Sequence, residues 1–196
     1  MASRLAADRV LERFAVMGAS GGGPHALACA AGLPERVTAV ACLASPAPYT
    51  EAFDWFGGMV DPSGLRAARE GRETRAEHAE TAEFVPSSFT DADWAALEGD
   101  WSSLGQDAVR AGEAGPDGEI DDDVAFASAW GFELESIETP VLLAQGGEDR
   151  VIPPSHAYAL LRALPRPELW LRPLDGHISI LHACPLTLDW LRLNAR

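Results

Sequence analysis

The sequence predicts an α/β protein in which helices flank a parallel sheet and a helical segment is inserted between two strands. Three observations lead to this prediction. Four short runs are apolar on both faces, as in strands that helices cover on both sides. Segments with a helical pattern separate most of these runs. A long stretch of different composition, residues 49–132, lies between the second run and the third.

The elements follow in order along the chain. The four predicted strands are residues 13–18, 37–44, 140–145 and 168–174. Helices are predicted after the first, third and fourth strands, at residues 24–31, 155–164 and 186–193. The last of these has Pro185 at its first turn, where proline is favoured because the missing N–H would have no intrahelical partner. This alternation of strand and helix is typical of a parallel sheet.

Residues 49–132, called the insertion below, are acidic and aromatic. They contain nineteen of the thirty acidic residues but five of the fifteen arginines. An acidic surface over aromatic anchors is typical of a helical subdomain packed on a sheet. We therefore predict a helical cap formed by the insertion and a core formed by residues 1–48 and 133–196. Four tryptophans are candidates for substrate contact from the inner face of the cap: Trp55, Trp94, Trp101 and Trp130.

The excess of acidic residues in the insertion has two interpretations. Pairs such as Arg69 with Glu73, four residues apart on a predicted helix, favour a solvated helical face. In the alternative, a negatively charged cap repels anionic substrates and attracts neutral or cationic ones.

The composition excludes several classes of protein. The formal net charge is −15, and all fifteen basic residues are arginine. Nucleic-acid binding needs the opposite charge balance, and the lack of lysine excludes both Schiff-base chemistry and a lysine-dependent phosphate loop. The five histidines show no metal-ligand spacing, so no metal site is predicted. No stretch approaches about 20 apolar residues, so no membrane span is predicted.

The cysteines and the first residues favour the cytoplasm. Cys29, Cys42 and Cys184 are odd in number, form no C-x-x-C pair and lie in apolar runs, as expected of buried, reduced thiols. The first residues carry scattered charges and no uninterrupted apolar segment, so they do not resemble a signal peptide. We therefore predict a cytoplasmic protein.

One serine lies on a turn between a predicted strand and a predicted helix, in the segment F-A-V-M-G-A-S-G-G-G-P-H, residues 14–25. A serine on such a turn adopts a strained backbone conformation, and flanking glycines let helix and strand approach without a Cβ clash. This predicts a nucleophile elbow with Ser20 Oγ at the carboxyl end of the sheet. Residues 21–26 also fit the dinucleotide pattern G-x-G-x-x-A, but the second strand ends in A-S-P rather than in the acid that binds ribose.

A serine nucleophile needs a base, and the base needs an orienting acid. Asp149 follows the third predicted strand and His177 follows the fourth. The carboxyl ends of parallel strands meet at one edge of a sheet, so these side chains are expected to meet Ser20 there. The order serine, aspartate, histidine along the chain strengthens the prediction of a triad. Asp175 shares the loop of His177 and is interpreted as a turn-forming residue.

These motifs resemble the α/β-hydrolase superfamily, in particular its cap-bearing members that are similar to proline iminopeptidases and esterases. The resemblance extends from about residue 14 to the C-terminus, and G-A-S-G-G, G-E-D-R-V-I-P and D-G-H match the nucleophile, acid and histidine loops. It implies a serine hydrolase that cleaves an ester, amide or similar acyl substrate through Ser20, His177 and Asp149. The N–H of Gly21 would be an oxyanion donor. The implied partner is a small-molecule substrate, and no metal, nucleotide or organic cofactor is implied.

The sequence departs from this family at its front. The family's first strands, and the H-G-x-P-like loop that supplies a second oxyanion donor, have no counterpart before residue 14. Residues 4–11 are the expected last helix of that part, and we expect a truncated or mis-started reading frame. Residues 13–18 would then form an apolar sheet edge, which favours either pairing with another chain, as in a homo-oligomer, or aggregation. The rival interpretation is a catalytically inert pseudoenzyme that acts as an interaction protein.

Overall fold

The computed structural model describes residues 12–195, which contain a four-stranded parallel sheet in the order β1-β2-β3-β4. The strands are β1 (Phe14–Ala19), β2 (Val37–Leu43), β3 (Val141–Gly146) and β4 (Pro167–Arg172). The predicted α/β class is confirmed, and the predicted strand bounds differ from these by at most two residues. The ends of the strands are aligned, since Ala19 lies opposite Leu43 and Gly146 opposite Arg172. The loops that follow the strands therefore share one edge of the sheet.

The helices connect the strands, belong to the insertion or, in the case of the last one, follow the final strand. In chain order they are α1 (Gly22–Gly32), α2 (Ser63–Glu70), α3 (Arg72–Ala79), α4 (Asp91–Glu98), α5 (Ser102–Glu113), α6 (Asp117–Phe126), α7 (Pro154–Ala163) and α8 (Cys184–Asn194). The predicted helices after the first, third and fourth strands correspond to α1, α7 and α8. The insertion supplies α2 to α6, so its helical character is observed.

Helices cover both faces of the sheet. On one face, α1 and α7 pack against Val40 and Cys42 of β2 and against Leu143 of β3. On the other face, Leu191 of α8 packs against a cluster that includes Leu142. Because neighbouring residues of a strand point to opposite faces, both sets of side chains in the central strands have to be apolar.

Burial differs between the central and the outer strands. Every residue of β2 and β3 is buried, whereas β1 and β4 are half-exposed, with Met17 at 42% and Leu171 at 40% exposure. The prediction that all four strands are buried is therefore wrong for β1 and β4, which lie at the margins of the helical layers. Pairing of the β1 edge with a second copy stays a prediction. The helix expected at residues 4–11 lies outside the part of the chain that the structure describes.

Ion pairs join two helices of the insertion. Arg75 of α3 is almost fully buried and donates to Asp123 and Glu119 of α6, each at 2.7 Å. Arg72 donates to Asp117 and Asp121 of the same helix, at 2.8 and 2.7 Å. Four carboxylates of α6 thus share two guanidinium groups of α3.

The predicted pairing of Arg69 with Glu73 is wrong. The chain breaks between α2 and α3 at Gly71, whose φ of 118° lies in the region that glycine alone adopts readily. The two side chains therefore belong to different helices. Arg69 instead donates to the carbonyl of Ala127 at 2.7 Å and stacks over the ring of Tyr49 at 3.8 Å.

The three cysteines are free thiols, but they differ in burial. Cys42 is buried in β2, and this burial raises the pKa of its thiol to about 12. Cys29 and Cys184 are half-buried, so the prediction of three buried thiols is wrong for these two.

No helix within residues 12–195 is both long enough and apolar enough to cross a membrane.

Candidate active site

Ser20 lies on the turn between β1 and α1 with a positive φ of 50°. Its N–H donates to the carbonyl of Leu43 at 2.8 Å, and its carbonyl accepts from the N–H of Gly23 at 3.0 Å. A Cβ at Gly18 would overlap the carbonyl group of Gly22. Strand β1 and helix α1 are therefore in close contact at this glycine, as the sequence predicts. The backbone therefore has the geometry predicted for a nucleophile elbow.

Ala44 is a second strained residue at the same sheet edge. Its φ is 48°, and its N–H donates to the carbonyl of Ala144 at 2.9 Å. Strained backbone of this kind costs about 1–3 kcal/mol and is concentrated at functional sites. No motif of the sequence pointed to this position, because alanine is not a residue type that signals a left-handed conformation.

The structure brings together the three side chains predicted to form a triad. His177 Nε2 lies 2.9 Å from Ser20 Oγ, and His177 Nδ1 lies 2.9 Å from Asp149 Oδ2. An ionised carboxylate only accepts hydrogen bonds, so Nδ1 carries a proton and donates it. In the neutral imidazole Nε2 is then an acceptor for the Ser20 hydroxyl. A serine proton and a base are thus within transfer distance.

Asp149 is held by the turn that follows β3. Its Oδ1 accepts from the N–H groups of Val151 and Ile152, both at 2.9 Å. Its Oδ2 accepts from the Gln145 amide at 3.3 Å as well as from His177. Gln145 also donates to the carbonyl of Ile152 at 3.0 Å. The carboxylate is buried and has one orientation, with Oδ2 directed at the imidazole.

Gly21, the predicted oxyanion donor, precedes the first turn of α1. The first N–H groups of a helix have no intrahelical partner, so they can bind an anion. The ring of Phe126 from α6 lies so close to Gly21 that a Cβ there would overlap it. His25 of α1 pairs with Asp122 of α6 at 3.2 Å and meets the Phe126 ring edge-on. The insertion therefore covers the start of the elbow helix.

The insertion also contacts the loop of the acid. Trp55 and Met59 form a buried cluster with Ile152, three residues after Asp149. The N–H of Val60 donates to the carbonyl of Arg150 at 2.9 Å. Together with Phe126 on the elbow helix, these contacts place different parts of the insertion against two of the three loops of the site.

Asp93 in α4 brings the insertion to the third loop. Its side chain is fully buried and accepts the N–H of His177 at 3.2 Å. Neither Asp93 nor Gln145 was predicted as a site residue. The local signal for Asp93 is a capping box with Thr90, three residues earlier, but a capping box identifies a helix start and not a distant partner.

The four tryptophans of the insertion lie in separate environments. Trp55 is 2% exposed and donates its indole N–H to Ala47 at 2.9 Å, which favours a role in the core. Trp94 is 37% exposed and meets the rings of two phenylalanines. Trp101 packs beside the segment that follows His177, and Trp130 lines a cavity of about 490 Å³ at the root of the insertion. Substrate contact by any of them stays a prediction.

His156 of α7 forms hydrogen bonds to the chain on both sides of the start of the insertion. It is fully buried, with Nδ1 accepting from the Ala47 N–H at 3.1 Å and Nε2 donating to the Trp55 carbonyl at 2.8 Å. Both nitrogens are satisfied only in the neutral imidazole. Burial lowers the pKa of His156 to about 4 from its usual 6.5. As the pH falls, the unfolded chain takes up a proton here before the folded one does.

The contribution of the neutral His156 to stability is therefore expected to be fully present above about pH 6.5 and to be lost as the pH falls towards 4. In His156→Gln, which does not titrate, this contribution is absent. Between pH 7 and pH 5 the wild type should lose about 2 kcal/mol more unfolding free energy than His156→Gln does. Urea denaturation at both pH values measures this difference. Parallel losses in the two proteins would contradict the assignment of a neutral buried imidazole.

Residues 12–195 contain no group of three or more histidine, cysteine, aspartate or glutamate side chains arranged to hold a metal ion.

Comparisons with known proteins agree with this architecture. A family model described as alpha/beta hydrolase fold matches residues 11–183. The chain is similar in structure to a hydrolase from Pseudomonas aeruginosa PA01, with 18% identity, a TM-score of 0.66, and coverage of 98% of this chain and 68% of that one. A comparison with curated proteins finds no match.

Two further solved structures are similar. The hydrolase olei00960 from Oleispira antarctica has 15% identity and a TM-score of 0.63, over 98% of this chain and 70% of that one. Est816, described as an N-acyl homoserine lactone degrading enzyme, has 21% identity and a TM-score of 0.60, over 97% and 71%. At such identities these structures show the fold alone, whereas the family model matches most of the sequence. The chain belongs to the α/β-hydrolase fold family.

Proposed function

We propose that the protein is a serine hydrolase, with Ser20 as nucleophile, His177 as general base and acid, and Asp149 as the orienting acid. The observation that carries this proposal is the continuous hydrogen-bonded path from Ser20 Oγ through both nitrogens of His177 to Asp149, at 2.9 Å in each step. Membership of the α/β-hydrolase fold family and the hydrolases among the structural neighbours support the same class of reaction.

In the first half of the proposed reaction, Ser20 Oγ attacks the carbonyl carbon of an ester or amide. The hydroxyl proton passes to His177 Nε2, and the carbonyl π pair moves onto oxygen. The tetrahedral intermediate then collapses, its carbon–leaving group bond breaks, and the leaving group takes the proton from His177. The product of this half is an acyl-enzyme at Ser20. Asp149 stays ionised throughout and stabilises the transient imidazolium.

In the second half, water replaces the alcohol or amine that has left. His177 removes a proton from the water, whose oxygen attacks the acyl carbon and forms a second tetrahedral intermediate. The bond between carbon and Ser20 Oγ breaks, and Oγ recovers its proton from His177. A carboxylic acid is released, and the enzyme returns to its starting protonation state.

The N–H of Gly21 is proposed as a donor to the oxyanion of both intermediates. It precedes the first turn of α1, so the positive end of the helix dipole adds to its effect. Loss of one donor of an oxyanion hole typically lowers the rate by about 10²–10³-fold. The alternative, a catalytically inert interaction protein, applies if this donor acts alone and does not suffice.

An activity-based probe tests the proposal without a known substrate. A fluorophosphonate should label the purified protein, because only a serine activated by its base attacks the phosphorus and displaces fluoride. Ser20→Ala should abolish labelling, while Ser103→Ala, an exposed serine of α5, should leave it unchanged. Mass spectrometry of the adduct identifies the labelled residue. No labelling of the wild type would favour the inert alternative.

The proposed substrate is a small acyl compound. The cytoplasmic location of the protein stays a prediction. Esters of graded acyl length form the first panel for assay. A lactone belongs in it because Est816, a structural relative, is described as degrading N-acyl homoserine lactones. The insertion, with nineteen acidic residues against five arginines, predicts slower turnover of anionic esters than of neutral ones.

A further inference from the structure

A buried carboxylate supports the loop that carries His177. Asp93 is fully buried in α4, yet it belongs to the insertion and lies 84 residues before the histidine. Its Oδ1 accepts from the N–H groups of Ile178 and Ser179 and from the Ser179 hydroxyl, each at 2.8 Å. Its Oδ2 accepts from the His177 N–H at 3.2 Å. Four donors of one loop therefore converge on one side chain.

The same carboxylate is anchored on the side of its own helix. Thr90 caps α4, and both its N–H and its hydroxyl donate to Asp93 Oδ2 at 3.0 Å. Burial alone would raise the pKa of Asp93, but the hydrogen bonds from Ser179, Thr90 and Ile178 together lower it. The side chain is therefore ionised at neutral pH, and bonds to a charged acceptor are stronger than those between neutral groups.

The loop is shaped around this carboxylate. A Cβ at Gly176 would overlap the Asp93 carboxylate, so only glycine fits immediately before His177. The Gly176 N–H donates to the Ser179 hydroxyl at 2.7 Å, which in turn donates to Asp93. The backbone on both sides of His177 is thus held by Asp93 directly or through Ser179.

We propose that Asp93 is a positioning residue for His177. It holds the backbone from which the imidazole reaches Ser20 and Asp149, without itself touching the reacting atoms. The inference rests on the proposed function, in which His177 transfers the proton. Because a misplacement of about 1 Å in catalytic geometry can cost about 10²-fold in rate, the loss of this support should slow the reaction of Ser20. The insertion would then take part in catalysis by stabilising the base.

The test compares Asp93→Asn with the wild type in fluorophosphonate labelling, followed to completion. In the variant an amide replaces one acceptor oxygen, so a donor faces the N–H groups of the loop. We expect the rate constant of labelling to fall about 10–100-fold while the final labelled fraction stays unchanged. If Asp93 served only the stability of the fold, the opposite result is expected. Misfolded molecules of the variant would lower the final labelled fraction, while the rate constant of the folded molecules would stay the same.

Two more variants separate the loop from the helix cap. Thr90→Val removes the hydroxyl that caps α4 but leaves the four donors of the loop; it should lose about 1 kcal/mol of stability and keep its rate constant within twofold. Ser179→Ala removes one hydroxyl of the network and should slow labelling by a smaller factor than Asp93→Asn. It also provides a folded variant if Asp93→Asn does not fold.

A spectroscopic signal makes the inference independent of activity. The proton that His177 Nδ1 donates to Asp149 is expected at low field in the proton NMR spectrum. In Asp93→Asn it should broaden through exchange with water. An unlabelled wild type would overturn the proposed function while this signal still decides the role of Asp93. Two results would overturn the role of Asp93, provided that the wild type is labelled. In the first, Asp93→Asn has the rate constant and the NMR signal of the wild type. In the second, only its final labelled fraction is reduced.

Discussion

Asp149→Asn is expected to lower the rate of Ser20 labelling about 10⁴-fold with little loss of stability. The asparagine oxygen can still accept from Val151 and Ile152, so the turn after β3 keeps its shape. Its amide then faces His177 Nδ1 as a donor and favours the tautomer that has its proton on Nε2. That tautomer cannot accept the Ser20 proton. Labelling kinetics with the fluorophosphonate measure the effect, and circular dichroism checks the fold.

Asp175→Asn is the matched control. Asp175 is the acidic residue nearest to His177 in the sequence, and its carboxylate pairs with Arg172 in the turn after β4. It should change the labelling rate by less than threefold if Asp149 is the orienting acid. Equal losses in the two variants, or a labelling rate in Asp149→Asn above a tenth of the wild type, would contradict the proposed triad.

Gly18→Ala is expected to lower the free energy of unfolding by about 3 kcal/mol and to displace α1 from the sheet. The added Cβ would overlap the backbone of Gly22 and Gly23, and backbone atoms cannot rotate away as a flexible side chain can. Because Ser20 lies on the turn that leads into α1, a displaced α1 should lower the rate of Ser20 labelling as well as the stability. Urea denaturation and labelling kinetics on the same sample measure both.

Gly22→Ala is the control for this prediction. A Cβ at Gly22 meets no atom within 4 Å, and replacing a glycine by alanine at an unstrained position stabilises a protein by about 0.4–1 kcal/mol, because the unfolded chain has fewer conformations to lose. Its stability should equal or exceed that of the wild type. A Gly18→Ala variant as stable as Gly22→Ala would show that β1 and α1 do not approach as closely as the structure indicates.

The site was largely predictable because its residues follow strands. Parallel strands align their carboxyl ends, so a serine, an aspartate and a histidine that each come directly after a strand lie at the same edge of the sheet. That His177 comes within 2.9 Å of both Ser20 and Asp149 depends also on the strand order and on the loops, which the sequence pattern does not specify. The margins of the sheet were less predictable, since the apolar pattern of β1 and β4 resembles that of the buried strands.

The insertion illustrates what local patterns cannot supply. Its helices could be expected from composition. The chain breaks at Gly71, however, so Arg69 donates to the carbonyl of Ala127 and does not pair with Glu73. Thr90 and Asp93 form a recognisable helix cap, yet nothing near them in the sequence points to the loop of His177. Substrate contacts of the tryptophans likewise depend on where each helix packs.

The sequence by itself determined the order of strands and helices, the elbow at Ser20 and the chain order of the proposed triad. These depend on apolar periodicity, on glycine conformation and on neighbours along the chain, which are local properties. Only the tertiary structure decided that Phe126 covers Gly21, that His156 is neutral, and that Asp93 supports His177. Such contacts join residues from distant parts of the chain, and their energies arise from burial and hydrogen bonding that exist only after the chain has packed.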